Sequence, residues 1–334
     1  MKVAVHANGC QRWHRPVEVR LASGVRVANV SEISAAGDSI DADVLFQQDG
    51  DRLILLLGGV TGPDAVRCFS VRLGDDVPRT SPLVTLADGV QDEGQESYRV
   101  ATPHATWFYH KLGAGFSSLL DPDGLDWLGY RPGGGSAGEY RGIPNMGYPE
   151  GYCHPGKTVS HSRVLAAGPL CVSIESESDD GKMHCRWDIF PAYARLTILR
   201  MRSPYWFLYE GTPGGNPGDQ LDETGGFCLR SDGVRTPLSE PWEGPLPAPE
   251  WVAFGVGNVD RALYLVHHEP DGAIDSYWPM EHNMTVFGFG RLGLDKFMTQ
   301  VPAHFTVGFA ESQDFDRIRA TVDAAFRPLR VELS

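Results

Sequence analysis

Four side chains with acid, base or carboxylate-binding chemistry lie close together in residues 133–156, GGGSAGEYRGIPNMGYPEGYCHPG. The glycine and proline content of this segment excludes regular structure, and long loops in compact domains are often functional. Arg141 and Asn145 suit a carboxylate or an array of sugar hydroxyls, because arginine offers a bidentate fork and asparagine both donates and accepts. His154 is a candidate general base or metal ligand, and Tyr140 a candidate acid. The alternative is that these groups only tie the loop to its own backbone.

A second group of titratable residues lies on predicted strands. Side chains two residues apart in a strand share a face. The candidates that share a face within their strand are His161 and Arg163 in residues 158–164, and His184, Arg186 and Asp188 in residues 183–189. These rows would line a cleft if they face the concave side of a sheet, and would be solvated surface if they face water.

Residues 205–215, YWFLYEGTPGG, form an aromatic strand that leads into a tight turn. The flat ring of Trp206 suits the apolar face of a sugar, and Glu210 at the strand end can accept hydrogen bonds from hydroxyls. The alternative is an aromatic core followed by a glycine turn.

A further wall of the site is predicted from a cluster of histidine, acidic and aromatic residues. Its members are His267, His268, Glu269, Asp275, Trp278, Glu281 and His282. The chain has no HExxH metal motif, no GxSxG nucleophile motif and no P-loop or dinucleotide fingerprint. We therefore predict no cofactor, and leave a divalent metal open.

Short strands dominate the chain around these candidates. They are β-branched or alternating and are bounded by Gly, Pro or Asp, and a helical pattern occurs only at residues 315–326, before Pro328. This pattern predicts a mostly β protein, with a large antiparallel β super-sandwich preceded by a small β-sandwich domain and followed by a short C-terminal helix. A Pro-, Gly- and Asp-rich connection places the boundary near residue 85, giving domains 1–85 and 86–334, the second of which carries the site.

Composition excludes several classes of partner. The net charge of −14 and the pI near 5.2 oppose nucleic-acid binding, which needs a basic surface. The chain contains no apolar run of about 18 residues, so no membrane-spanning helix is predicted, and no signal peptide is visible. We expect a cytoplasmic protein, or a secreted or periplasmic one if a leader was removed. The six cysteines form no C-x-x-C pair and are expected to be reduced thiols.

Four segments carry a resemblance to known proteins: FSSLLDPDGLDWLGY, EYRGIPN with a following HPG, YWFLYEGTPGG and MTVFGFGR. With them, residues 95–312 resemble a group of carbohydrate-associated bacterial proteins. RPVEVRL and LLLGGVTGPDAVRCF resemble the small β domain that precedes catalytic domains in such proteins. GAGFSSLLDPDGLDWLGY is similar to early strands of galactose-mutarotase-like super-sandwiches, a fold shared by aldose epimerases and several polysaccharide lyases. The resemblance implies a carbohydrate substrate and leaves the reaction and oligomeric state open.

Elimination from a uronate-containing glycan is the reaction that the candidate residues fit best. A lyase neutralises the uronate carboxylate, removes the C5 proton and protonates the leaving oxygen. Here Arg141 and Asn145 would hold the carboxylate, His154 or His184 would be the base, and Tyr140 the acid. A glycoside hydrolase would instead need two carboxyl groups, for which Glu139, Glu150, Asp188, Glu210 and Glu281 are available. The residues also allow sugar isomerisation, or carbohydrate binding without catalysis.

Overall fold

The protein was described from a computed structural model, and nearly all of its regular structure is β. The description covers residues 1–34, 36–75, 80–128, 142–215, 221–222, 225–280 and 282–334. Within these ranges Phe315–Phe326 is the single α-helix, α1. The mostly β fold class and the C-terminal helix predicted from the sequence are confirmed.

The strands are short and follow one another closely along the chain. The first eleven are β1 (Lys2–His6), β2 (Arg12–Arg20), β3 (Val27–Ile33), β4 (Ser39–Asp41), β5 (Phe46–Asp49), β6 (Arg52–Thr61), β7 (Val66–Leu73), β8 (Thr85–Asp92), β9 (Gln95–Ala101), β10 (Thr106–His110) and β11 (Gly115–Leu120). The next eight are β12 (Ser160–Ala167), β13 (Val172–Ser178), β14 (Met183–Ile189), β15 (Tyr193–Met201), β16 (Phe207–Gly211), β17 (Phe227–Arg230), β18 (Arg235–Pro237) and β19 (Trp242–Gly244). The last eight are β20 (Glu250–Gly255), β21 (Ala262–His267), β22 (Asp275–Met280), β23 (Met284–Phe289), β24 (Arg291–Leu292), β25 (Asp295–Lys296), β26 (Ala303–Ala310) and β27 (Arg330–Leu333).

The N-terminal strands form two small sheets, of order β27-β1-β7-β3-β4 and β2-β6-β5. Alternate apolar residues of both sheets, such as Val5, Leu55 and Phe69, meet in one buried cluster. The C-terminal strand β27 pairs with β1, with Val3 opposite Leu333. The two ends of the chain are therefore joined in one sheet, and the boundary near residue 85 stays a prediction.

The larger part of the chain is a two-layer sandwich. Its first sheet has nine strands in the order β12-β13-β14-β15-β26-β21-β20-β17-β18, with every pairing antiparallel. Opposite it lie two four-stranded sheets, β11-β10-β9-β8 and β16-β23-β22-β19. The facing layers share one buried cluster that includes Trp107, Trp127, Trp187 and Phe305. Burying an aromatic side chain of this kind contributes about 1.5–3 kcal/mol.

A short extended segment joins the two four-stranded sheets. Ile143 exchanges two backbone hydrogen bonds with Phe116 of β11, at 2.7 and 3.1 Å. Gly142 exchanges two with Glu210 of β16, at 2.8 and 3.0 Å. The segment therefore lies between β11 and β16 and makes the second layer one continuous surface. Residues 144–156, the described part of the Gly- and Pro-rich loop, follow directly after it.

Helix α1 packs on the outer side of the first sheet through Ile318, Val322 and Ala325. Asp314 caps its start by accepting a hydrogen bond from the Arg317 amide at 3.0 Å. The buried guanidinium of Arg12, on β2, donates to three carbonyls at the end of the helix region, those of residues 323, 324 and 327, and also to the carbonyls of residues 7 and 328. A cation at a helix C-terminus satisfies exposed carbonyls and the helix dipole together. Arg12 thus fixes the helix to the N-terminal sheets.

Candidate active site

Asn145, His154 and Glu210 meet on the outer face of the second layer. The Nε2 of His154 lies 3.4 Å from Oε2 of Glu210, and the Asn145 amide donates to the same oxygen at 3.4 Å. All three are nearly enclosed, with 4, 7 and 5% of Asn145, His154 and Glu210 exposed. A buried carboxylate held by an amide and an imidazole is an arrangement suited to moving a proton.

Strand β16 presents Glu210 through its two-residue alternation. Phe207 and Tyr209 point into the sandwich core, and the Tyr209 hydroxyl donates to the carbonyl of Trp127 at 2.7 Å. Trp206, Leu208 and Glu210 therefore face the other way. The first two pack with Met284 and Val286 in a small apolar cluster on the outer face. Glu210 lies at the end of this row, beside the joining segment.

Three glycines allow His154 and Pro155 to lie against the edge of the sheet. A Cβ at Gly113 would be 2.6 Å from the His154 carbonyl oxygen, and one at Gly115 would be 2.9 Å from Pro155 Cδ. At Gly142 a Cβ would be 2.4 Å from the Phe116 oxygen and 2.5 Å from Pro155 Cγ. Only glycine allows such close approaches. The HPG motif is thereby seated on backbone, which fixes the position of the His154 ring.

The hydrogen bonds of His154 define where its proton lies. Its Nδ1 is 2.9 Å from the Pro155 carbonyl oxygen, which can only accept, so Nδ1 carries a hydrogen. In the neutral ring the lone pair is then on Nε2, which faces Glu210. The Nε2 of His154 and the Oε2 of Glu210 are 3.4 Å apart and form an ion pair when the ring is protonated.

Two cations lie against the ring of Trp206, in the same outer row as Glu210. The guanidinium carbon of Arg291 is 5.8 Å, and the Lys296 Nζ 5.0 Å, from the ring centroid of Trp206. Burial lowers the pKa of Arg291, and the Glu210 charge opposes that effect. Among the described residues, Nε of Arg291, Nε1 of Trp206 and Oδ1 of Asn145 are buried without a hydrogen-bonding partner. Buried polar atoms of this kind favour a polar ligand, because leaving them unpaired costs about 1–3 kcal/mol each.

A cavity of about 470 Å³ adjoins Arg291 at the edge of the same sheet. Trp242, Glu243, Ser276 and Trp278 line it with Arg291, whose Nη1 donates to the Ser276 hydroxyl at 3.3 Å. Trp278 is 52% exposed, which is unusual for so large an apolar side chain. An exposed indole next to a guanidinium provides a flat apolar surface and an anion-binding group together.

The other predicted site residues lie on the opposite outer face of the sandwich. The pairs that they form are Arg163 with Glu175 at 2.8 Å, His184 with Glu175 at 3.0 Å, His161 with Asp179 at 3.3 Å and Arg186 with Asp188 at 3.0 Å. Strand β13 lies between the two strands that carry them. Cys185, Trp187 and Ile189 point into the core, as their period requires. His154 and His184 therefore do not belong to one site.

Asp188 on that face joins the sandwich to the N-terminal sheets. It accepts from Arg52 of β6 at 2.9 Å and from the Ser173 hydroxyl at 2.5 Å. Burial would raise the pKa of Asp188, but the charges of Arg52 and Arg186 outweigh burial and hold it below its usual value. The carboxylate thus forms ion pairs between β14 and β6 and within β14.

Two of the predicted catalytic residues, Tyr140 and Arg141, lie outside the described residues, as do the candidate carboxylates Glu139 and Glu281. No local motif marks Lys296, because it reaches Trp206 only through the β24–β25 hairpin. Arg291 had one signal, a lone cation directly after the apolar strand MTVFGFG.

Of the predicted histidine wall, His267 belongs to a separate hydrogen-bonded network, whereas Trp278 lines the cavity beside Arg291. His267 donates to Glu250 at 2.7 Å, and the other oxygen of Glu250 accepts from the amides of Asp271 and Gly272 at 3.0 and 3.4 Å. Glu250, His267 and Asp271 bring potential metal-ligand atoms within 4.8 Å of one another. The hydrogen bonds that Glu250 accepts from His267, Asp271 and Gly272 already bring these three potential ligand atoms together, because they hold the loop after β21 against Glu250. Burial lowers the pKa of the neighbouring His268 to about 3, so that ring is neutral.

The chain was compared with protein-family models, curated proteins and solved structures. No protein-family model and no curated protein matches the chain. Among solved structures the chain is similar to HI1317, with 14% identity over 68% of this chain and 99% of that one, and a TM-score of 0.42. No helix in the described ranges is long and apolar enough to span a membrane.

Proposed function

We propose that this protein is a carbohydrate-active enzyme that catalyses β-elimination from a uronate-containing glycan at the His154–Glu210 pair. The observation that carries the proposal is the 3.4 Å separation of the His154 Nε2 and the Glu210 Oε2 in a nearly enclosed position. Elimination needs a positioned base, a group that neutralises the uronate carboxylate and a proton for the leaving oxygen. The described residues offer the first two together.

The His154–Glu210 pair supplies the proton transfers. It removes the C5 proton, the electrons of that C–H bond form the C4=C5 double bond, and the C4–O4 bond breaks with its electrons on oxygen. The pair then donates the proton that it took from C5 to the leaving oxygen, and so returns to its starting protonation state. Tyr140 is the alternative proton donor predicted from the sequence, and it stays a prediction.

Positive charge and amide hydrogens supply the carboxylate recognition. Arg291 offers an unpaired Nε–H among the described residues, and Asn145 has a second amide hydrogen beyond the one that it donates to Glu210. Neutralising the uronate carboxylate acidifies the C5 proton and offsets repulsion from Glu210. Trp278 in the adjoining cavity would stack on the neighbouring sugar ring. Arg141 remains a predicted second clamp residue.

The test is a panel of uronate-containing and neutral glycans incubated with the purified protein. Absorbance near 230 nm, reducing ends and optical rotation are followed together in each reaction. A rise near 230 nm with uronate glycans alone is the expected result, because the new C4=C5 bond is conjugated with the carboxylate. Reducing ends without absorbance would contradict elimination and favour hydrolysis. A change in optical rotation alone would favour isomerisation, and binding without turnover would leave only recognition.

A further inference from the structure

A second cavity lies beside helix α1 on the outer side of the first sheet, whereas the candidate site lies on the second layer. It encloses about 550 Å³ between β2, helix α1 and the end of the first sheet. Tyr193 and Tyr264 form an apolar wall, and both are buried. Trp13 on β2 lies at the cavity too and is 39% exposed. The volume and the aromatic lining are typical of a small-molecule site.

The positive charge of this cavity is not balanced by the described carboxylates. Arg15 is 6% exposed, hydrogen bonds to the Tyr193 hydroxyl and lies with its guanidinium carbon 4.8 Å from that ring centroid. Among the described residues no carboxylate pairs with Arg15, and its Nε has no hydrogen-bonding partner. A buried guanidinium without a counter-ion is costly, and an anion in the cavity would remove that cost.

The other polar groups at the cavity agree with an anionic ligand. Arg317, in the first turn of α1, lines the cavity with an exposed side chain. Glu311 also lines it and accepts from Arg261 at 2.8 Å through both oxygens, and Arg261 pairs with Asp121 and Asp123 as well, so none of these carboxylates is paired with Arg15. His14 accepts the Gly59 amide hydrogen on Nδ1 at 3.4 Å, so its neutral ring presents an N–H at Nε2.

The chain places these groups with a local irregularity in β2. The register of β2 against β6 shifts between Trp13 and Arg15, and His14 has a φ of +41°. Non-glycine residues with positive φ are uncommon and cluster at functional sites. The bulge lies between Trp13 and Arg15, and both residues line the cavity.

We propose that this cavity binds a small monocarboxylate with an aromatic body. Its carboxylate pairs with Arg15 and Arg317, and its ring lies against Tyr193 and Tyr264. The ligand joins β2 to α1, so its binding stabilises the contact between the N-terminal sheets and the sandwich. This inference does not depend on the reaction at His154 and Glu210.

The experiment is calorimetric titration of the full chain with 2-naphthoate and with 2-naphthamide, which has the same ring without the charge. Naphthoate is expected to bind at one site and to quench Trp13 fluorescence, with naphthamide at least about 10-fold weaker. Arg317→Gln should weaken naphthoate about 10-fold, and Ala320→Phe should abolish binding by filling the cavity. Arg319→Gln is the matched control, because Arg319 pairs with Asp316 on the exposed surface of the same helix.

Three results would overturn the proposal. Equal affinity for naphthoate and naphthamide would remove the role of the charge. The absence of saturable naphthoate binding at millimolar concentration would remove the site, and binding that Ala320→Phe leaves unchanged would place the ligand outside this cavity. Circular dichroism of each variant confirms folding, and Arg317→Gln keeps the test informative if the cavity-filling variant does not fold.

Discussion

Replacing Gly142 by alanine tests how the fold positions His154. Gly142 has a φ of +154°, and a Cβ there would lie 2.4 Å from the Phe116 carbonyl oxygen and 2.5 Å from Pro155 Cγ. Neither the strand backbone nor the proline ring can yield as a flexible side-chain end would. Either the joining segment leaves β11 and β16, or Pro155 moves and takes His154 with it.

The magnitude follows from two separate costs. A non-glycine residue in a sparsely populated backbone conformation costs about 1–3 kcal/mol, and overpacking costs about 1–3 kcal/mol more. Gly142→Ala should therefore lower the free energy of unfolding by about 2–6 kcal/mol. Gly124→Ala is the matched control, because Gly124 has a φ of +83° and nothing within 4 Å of the added Cβ. It bears the backbone cost without the crowding.

Urea unfolding followed by tryptophan fluorescence measures both variants against the wild type. Gly142→Ala should be at least about 1 kcal/mol less stable than Gly124→Ala. A displacement of about 1 Å at His154 would also lower turnover by roughly 100-fold, whereas Gly124→Ala should leave turnover unchanged. Equal stabilities of the two variants would refute the account of how Pro155 and His154 are seated.

Two further predictions concern groups that hold the fold. Arg12→Met should lower the free energy of unfolding by about 3 kcal/mol or more, because it leaves several carbonyls without their donor. The control is Arg20→Met, at a side chain 84% exposed, which should change the free energy of unfolding by less than about 0.5 kcal/mol. Similar urea midpoints for the two variants would contradict the role of Arg12. Burial raises the pKa of Asp275 from 3.8 to about 7, so the folded chain keeps a proton that the unfolded chain releases, and stability falls as the pH rises from about 4 to 7. Asp275→Asn cannot titrate, so its free energy of unfolding should rise relative to that of the wild type by up to roughly 4 kcal/mol as the pH rises over that range. Urea unfolding at pH 5 and pH 8 measures this. The same difference in free energy between variant and wild type at both pH values would contradict the raised pKa of Asp275.

The sequence predicted the fold class because strand periodicity and turn composition are local properties. Short alternating runs between Gly and Pro indicated strands, and the apolar face of residues 315–326 indicated the helix that packs on the sheet. The pairing of β27 with β1 was beyond such patterns, since strand order is not fixed by chain order.

The candidate site shows the same limit. Asn145, His154 and Glu210 were each identified by residue type, yet their meeting depends on the joining segment between β11 and β16, which no periodicity indicates. The face that carries His184 was assigned from its period, but a period does not tell whether a face lines a site or carries surface ion pairs. Lys296 lies against Trp206 because of the β24–β25 hairpin, about 90 residues further along the chain, which no local pattern near Trp206 indicates.

The most direct test of the central claim is the turnover and binding of His154→Gln, Glu210→Gln and His184→Gln on the glycan that the wild type cleaves best. Loss of a positioned acid–base group costs about 10²–10⁴ in rate. The first two variants should lose at least about 100-fold in kcat with Kd nearly unchanged, and His184→Gln should keep wild-type kcat. Full activity of His154→Gln, or an equal loss in His184→Gln, would contradict the assignment of the His154–Glu210 pair as the chemical centre.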